Sequence, residues 1–173
     1  MPELPEVEFL MRYLNSLVSG KIIGEVTVHR AKSVRPVSAS RMRRIVEGAK
    51  IIGLRRRAKY LLFELKKGQG DPFLMLGHLG MTGRMYVQPV NKALPKHAAV
   101  SFRLGRGVFV FEDTRYFGRL TLDTTSLDSL GPEPLSKDFS GNILHAALSR
   151  CKQAIKPKLL DQSLLAGVGN IYA

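Results

Sequence analysis

The chain is short of three things, and each shortage closes off a class of function. It has one cysteine, Cys151, in 173 residues. A single thiol forms no intramolecular disulfide and builds no cysteine-rich zinc site. It fits a reducing, cytoplasmic compartment, with Cys151 a spectator. No apolar run approaches the roughly 18 residues of a membrane span. The N-terminus carries Glu3 and Glu6 and no basic flank, which is not the pattern of a secretory signal. Acidic residues are the third shortage: 14 Asp and Glu stand against 27 Lys and Arg, a net charge of +13. Such an excess points to a polyanionic partner, nucleic acid ahead of an anionic membrane surface. It also suits a merely basic soluble protein, since charge says nothing of fold.

What is present is a core. Hydrophobic residues make up 45% of the chain and are spread along it, which argues against disorder. Pro5 suits the first turn of a helix. Val7, Leu10, Met11, Leu14, Leu17 and Val18 then recur at helical spacing, with Gly20 as a stop. From residue 21 the period changes. Lys21–Arg30, Lys50–Arg57, Tyr60–Leu65, Phe73–His78, Met85–Gln88, Ala98–Leu104 and Val108–Glu112 read as short strands, with Arg41–Glu47 a short helix. Strands at this spacing suggest a sandwich or a barrel. After Leu122 the chain turns polar, and Gly131-Pro132-Glu133-Pro134 is a linker signal. Asn142–Ser149 and Pro157–Leu165 read as helices beyond it. Gly167-Val168-Gly169-Asn170 reads as a turn feeding a helix capped by Asn170, and Ala173 follows three residues later.

The N-terminus is also a chemical candidate. A small penultimate residue such as Pro2 permits removal of Met1, leaving a secondary amine. An α-amino group titrates near 8, so a fraction is neutral at pH 7 and able to attack a sugar carbon. Glu3 and Glu6 stand beside it as acid/base groups. On spacing alone the same residues are an acidic helix entry, and that reading stays open.

Five segments in order carry a resemblance. Residues 1–8, Met-Pro-Glu-Leu-Pro-Glu-Val-Glu, resemble the start of the formamidopyrimidine-DNA glycosylases. Arg55-Arg56-Arg57-Ala58-Lys59-Tyr60-Leu61-Leu62 resembles the family's lysine-bearing β-hairpin. Gly77-His78-Leu79-Gly80-Met81-Thr82-Gly83 and Asp113-Thr114-Arg115-Tyr116-Phe117-Gly118-Arg119 resemble two of its loops. Gly131–Leu135, with Ile155-Lys156-Pro157 onward to Ala173, resembles the first part of its helix–two-turn–helix module.

The resemblance implies a fold and a set of roles. The fold is mainly β with helices (α+β): a β-sandwich with an N-terminal helix over residues 1–130, then a partial helix–two-turn–helix module over 131–173. Pro2 attacks C1′ and displaces the damaged base, Glu3 protonates the sugar ring oxygen, and Glu6 helps hold the pocket. Lys59 contacts a phosphate near the lesion. His78, Lys156 and Asn170 contact DNA, and Met81, Arg115 and Phe117 fill the hole left by a flipped nucleotide. That nucleotide must leave the stack because the enzyme acts on its sugar. Read singly, Met81 and Phe117 also suit a core, His78 a loop, Asn170 a cap and Arg55–Lys59 a solvated strand face.

The implied activity is base-excision repair by a bifunctional glycosylase and abasic-site lyase. Its implied partner is double-stranded DNA carrying oxidised purines or abasic sites, in the bacterial cytoplasm and at the nucleoid, with no membrane. The family continues into a four-cysteine zinc finger that Cys151 cannot replace, so no cofactor or metal is expected in this chain. The family's full-length form is expected to be a monomer. For this chain the end at Ala173 predicts exposed apolar faces at Leu144, Leu148, Leu159, Leu160 and Leu164, and self-association. Tyr116 departs from the family's Arg or Lys, and its loss of charge should remove one phosphate or base contact. Three alternatives remain: a weak relative that only binds DNA through charge, an endonuclease VIII-like enzyme acting on oxidised pyrimidines, and a small basic RNA-binding protein.

Overall fold

The structure, a computed structural model, describes residues 2–137, 139–149 and 151–173; Met1 lies outside them. Helix α1 (Leu4–Val18) starts at the terminus with Glu3 as its cap, and Glu6 Oε2 reaches back to accept from the Glu3 N–H at 2.9 Å. Leu4, Val7, Leu14 and Val18 fall on its buried face. Eight strands follow: β1 (Val26–Val28), β2 (Lys50–Arg57), β3 (Tyr60–Lys66), β4 (Phe73–His78), β5 (Arg84–Pro89), β6 (Ala98–Leu104), β7 (Gly107–Glu112) and β8 (Arg119–Thr121). A 3-10 turn (Ala31–Val34) and helix α2 (Ala39–Val46) separate β1 from β2. The strands form two antiparallel sheets, ordered β1–β6–β7–β5 and β2–β3–β4–β8.

The sheets face each other across one core. Phe63 of β3 meets Phe109 of β7 edge-on, with ring centroids 5.7 Å apart, and Phe109 stacks on Phe102 of β6 at 4.3 Å. Those are the two arrangements that the ring quadrupole favours. In β2 a register shift between Ile51 and Gly53 changes the alternation, so Ile51 and Leu54 both point inward. Asn15 Oδ1 of α1 accepts the Leu54 N–H at 2.8 Å just beyond that bulge, fixing the helix to the sheet.

The α+β sandwich expected from the sequence is the fold observed, but several elements differ. The strand read at Lys21–Arg30 reduces to Val26–Val28, because the backbone before it divides its bonds between Ala49 and Gly48 on one side and Arg103 of β6 on the other, and so has no one continuous neighbour. Strand β8 was not anticipated; three residues are too few for a periodicity. The helix read at Pro157–Leu165 is α4 (Ile155–Leu159), followed by turns. Gln162 explains the break: its Nε2 donates to the Leu160 and Val168 carbonyls and its Oε1 accepts from the Gly167 N–H. Helix α3 (Gly141–Leu148) is capped by Ser140 Oγ. Neither α3 nor α4 buries a residue, and Leu144, Leu148, Leu159, Leu160 and Leu164 are all half-buried.

Candidate functional site

The site begins where the last residues meet the first. Glu3 is 1% exposed, and its carboxylate accepts three backbone N–H groups: Gly169 at 2.7 Å, Ile171 at 2.8 Å and Tyr172 at 3.4 Å. The Ala173 N–H donates to the Gly169 carbonyl, closing a single helical turn. Gly169 therefore occupies the cap position that the sequence assigned to Asn170, and Glu3 supplies the acceptor a buried turn entry needs. The close approach requires glycine: a Cβ on Gly169 would lie 2.3 Å from Glu3 Cδ. The Leu4 N–H donates to the Gly167 carbonyl at 3.1 Å, so the same segment holds the backbone next to Glu3. Glu6 is exposed and accepts from the Tyr172 hydroxyl at 3.1 Å. Desolvation pushes its carboxyl upward, but the Glu3 N–H and the Tyr172 hydroxyl outweigh it and hold the group below its usual range.

On one side of Glu3 a cleft of about 510 Å³ is lined by Lys59, Tyr60, His78, Gly169 and Asn170, among others. Lys59 is 8% exposed at the turn between β2 and β3. Burial lowers its ammonium from the ordinary lysine value, and the Glu3 carboxylate partly restores it. His78, at the end of β4, is lowered by burial and by the charges of Lys59 and Arg119. Its Nδ1 accepts the Gly80 N–H at 3.2 Å, which leaves Nε2–H as the donor into the cleft.

On the other side a cleft of about 550 Å³ joins Pro2 to Met81, Thr82, Gly83, Arg84, Glu112 and Thr114. Met81 and Phe117 are 42% and 50% exposed, and the Arg115 guanidinium lies 4.9 Å from the Phe117 ring centroid. Large side chains left out of the core at adjacent loops are poised for a partner. The two loops are held against each other. Asp113 is fully buried; it accepts from the Thr82 hydroxyl, the Arg115 N–H and the Gly118 N–H. Desolvation pushes its carboxyl up, and these donors bring it below the usual aspartate value. Gly80 takes φ +61, and a Cβ there would lie 2.6 Å from Gly118 N.

The structure thus groups Lys59, His78 and Asn170 in one cleft and Pro2 and Met81 in another, with Glu3 bonded to Gly169 of the first and next in sequence to Pro2 of the second. Lys156, exposed on α4, lines neither. Asp113, Tyr172 and Glu133 were not singled out from the sequence. Glu133 accepts the Ala58 N–H at 2.7 Å and pairs with Arg56 at 2.7 Å and Arg57 at 3.3 Å. The Arg56 side chain, also paired with Glu8 at 2.6 Å, is only 13% exposed, so at Arg56 the strand face is a buried ion network, whereas Arg55 remains solvated. An acidic residue between two prolines in so basic a chain was the available signal. Among the described residues no three His, Cys, Asp or Glu side chains cluster as metal ligands do, and no helix is long and apolar enough to cross a membrane.

Known proteins are similar to this chain in sequence and fold. The model of the formamidopyrimidine-DNA glycosylase N-terminal domain matches residues 1–120, and that of the formamidopyrimidine-DNA glycosylase H2TH domain matches residues 130–173. A formamidopyrimidine-DNA glycosylase of Desulfitobacterium hafniense is 41% identical over 180 residues, covering 100% of this chain and 64% of the relative. One from Carboxydothermus hydrogenoformans is 38% identical over 173 residues, covering 100% of this chain and 63% of the relative. The chain spans about 64% of the length of the curated relatives it matches. Among solved structures, the Lactococcus lactis formamidopyrimidine-DNA glycosylase, non-covalently bound to DNA containing an abasic site, superposes with a TM-score of 0.89 at 32% identity, over 99% of this chain and 66% of that one. The same enzyme with formamidopyrimidine-containing DNA gives a TM-score of 0.89 at 32% identity, over 98% and 65%. With both models matched and the fold superposed over nearly its full length, the chain belongs to the formamidopyrimidine-DNA glycosylase family.

Proposed function

We propose that this chain carries the chemistry of a bifunctional DNA glycosylase and abasic-site lyase that removes oxidised purines from duplex DNA. One observation carries the proposal: Glu3, buried and held by three backbone N–H groups, adjoins Pro2 at the mouth of a cleft shared with Met81. A fixed carboxylate next to an amine, able to take up and pass on its proton, is what nucleophilic displacement at a sugar carbon needs. After removal of Met1, the Pro2 nitrogen bonds to C1′ as the glycosidic C–N bond breaks and the base departs with a proton. The Glu3 carboxylate takes the proton that the Pro2 nitrogen sheds and hands it to the ring oxygen, the sugar opens, and an iminium links Pro2 to C1′, while the base's proton comes from water. Loss of the C2′ proton expels the 3′ phosphate, and a second elimination expels the 5′ phosphate.

The remaining residues are assigned by their place around this centre. Lys59, His78 and Asn170 clamp phosphates on the side of the cleft they share, contacts that fix register without reading sequence. Met81 and Phe117 fill the gap left by the extruded nucleotide, and Arg115 bonds to the orphaned base. Glu6 braces the helix entry through Glu3 N–H and Tyr172. Lys156 contributes charge at the periphery.

The test presents separate duplexes bearing 8-oxoguanine, a formamidopyrimidine, an oxidised pyrimidine or an abasic site. Excision of the purine lesions with nicking at the abasic site is the expected result. Preference for the pyrimidine lesion moves the chain to an endonuclease VIII-like specificity, and intact abasic strands refute the lyase.

A further inference from the structure

Position 116 is where this chain leaves the family pattern, with Tyr116 in place of Arg or Lys. Tyr116 adopts φ +54, a left-handed conformation that aromatic residues seldom take. Its hydroxyl hydrogen-bonds with His97 Nδ1 at 3.1 Å, and the Arg30 guanidinium lies 4.9 Å from its ring centroid. These contacts join segments far apart in sequence, and each is pinned by backbone bonds. The Arg30 N–H donates to the Ala99 carbonyl of β6 at 3.1 Å, and the His97 carbonyl accepts the Asp113 N–H at 3.0 Å. Tyr116 itself sits between Arg115 and Phe117, both exposed.

The other cation beside this loop is already engaged: Arg119 Nη1 donates to the Gly118 carbonyl at 3.0 Å. Arg30 is different. It is exposed, and among the described residues its side chain makes no hydrogen bond and meets no carboxylate. A guanidinium lying on an aromatic face keeps its N–H edge free, in a plane suited to a phosphate.

We propose that Arg30, stacked on Tyr116, is a DNA-phosphate contact of this chain, supplying beside the Arg115–Phe117 loop the positive charge that the family carries at position 116. The inference rests on the DNA-repair reading above, because that reading brings the loop to the duplex. The ring is the platform, His97 sets its orientation through the hydroxyl, and the charge arrives from the β1 side of the sandwich. The contact that the sequence marked as lost is thereby relocated.

The experiment measures affinity for a short undamaged duplex, and for the same duplex carrying a tetrahydrofuran abasic analogue, across a salt series. Arg30→Ala and Arg30→Gln are each expected to reduce the slope of log K against log salt by about 0.9, which over about 50–200 mM salt makes the affinity lost about 3.5-fold smaller. Arg30→Gln keeps most of the stem on the ring, so agreement of the two variants isolates the charge from the packing. Arg30→Ala combined with Tyr116→Arg is expected to return the slope to the parent value. A parent that binds with a steep slope while both Arg30 variants match it overturns this inference alone. A parent with no salt-dependent binding overturns the DNA-repair reading instead.

Discussion

Glu133 is the clearest place to perturb the site from a distance. Its side chain is 13% exposed and accepts the Ala58 N–H at 2.7 Å while pairing with Arg56 and Arg57. Ala58 is fully buried and takes φ +53 in the two-residue turn it forms with Lys59, a conformation that costs about 1–3 kcal/mol unless its surroundings impose it. Glu133→Ala strands that N–H, worth about 1–3 kcal/mol, and removes one of the two carboxylates that Arg56 holds. The Arg57 contact, a third exposed, adds less than about 1 kcal/mol. The sum is about 3 kcal/mol once Arg56 is credited with keeping Glu8. For a chain of this size that lowers Tm by about 6–12 °C.

The assay is urea unfolding of the parent, Glu133→Ala and Glu133→Gln at several pH values. Glutamine keeps an acceptor for Ala58 and should lose about half as much. Desolvation raises the Glu133 carboxyl, but the Ala58 N–H and Arg56 more than offset it, so the folded value lies below the ordinary 4.5. The stabilisation is therefore complete above the ordinary glutamate range and disappears as pH falls through the folded value. The gap between parent and variants should be widest near neutral pH and close in acid. A Glu133→Ala loss within about 0.5 kcal/mol of zero, the scatter of surface substitutions, would refute the reasoning.

Three further outcomes follow from the geometry. Gly169→Ala places a Cβ 2.3 Å from Glu3 Cδ and must displace the carboxylate; single-turnover excision should drop by about 10²-fold, as a misplacement of about 1 Å does, and a parent-like rate would contradict Glu3's role. Asp113→Asn should cost about 2 kcal/mol in urea unfolding, because a buried amide cannot accept from Thr82, Arg115 and Gly118 as the carboxylate does; an unchanged midpoint would show that the loop holds itself. His78 is held below 6.5 by burial and by Lys59 and Arg119, so the unfolded chain takes up that proton first and stability falls as pH drops below 6.5 through the folded value. His78→Gln should flatten this part of the pH–stability curve, and an identical curve would show that His78 titrates normally.

Much of the fold was legible because its signals are local. Val7, Leu14 and Val18 on one helical face, and the apolar run Leu61-Leu62-Phe63 in β3, report burial directly. The loops at 77–83 and 113–119 were marked by their motifs, and their packing of Gly80 against Gly118 appears only in the structure. The candidate residues were found through motifs, since no periodicity joins Pro2 to Met81. What stayed hidden depends on partners far apart in the chain. Glu3 meets Gly169 across a separation of 166 residues, Glu133 meets Ala58 across 75, and Arg30 meets Tyr116 from a different sheet edge. The break after Leu159 has the same origin, because the Gln162 side chain replaces helical hydrogen bonds with its own. A three-residue strand such as β8 carries too few side chains to show a period, and its pairing with β4 creates it.

The central claim is that the Pro2 amine, with Glu3 beside it, is the nucleophile. Borohydride reduction on abasic-site DNA, followed by mass mapping of the cross-linked peptide, tests it most directly. The account predicts one adduct, on the N-terminal peptide and on the Pro2 nitrogen, strongly reduced by Glu3→Gln and abolished when the N-terminus is acetylated. An adduct on Lys59 or another lysine, or undiminished trapping by the acetylated chain, would contradict it.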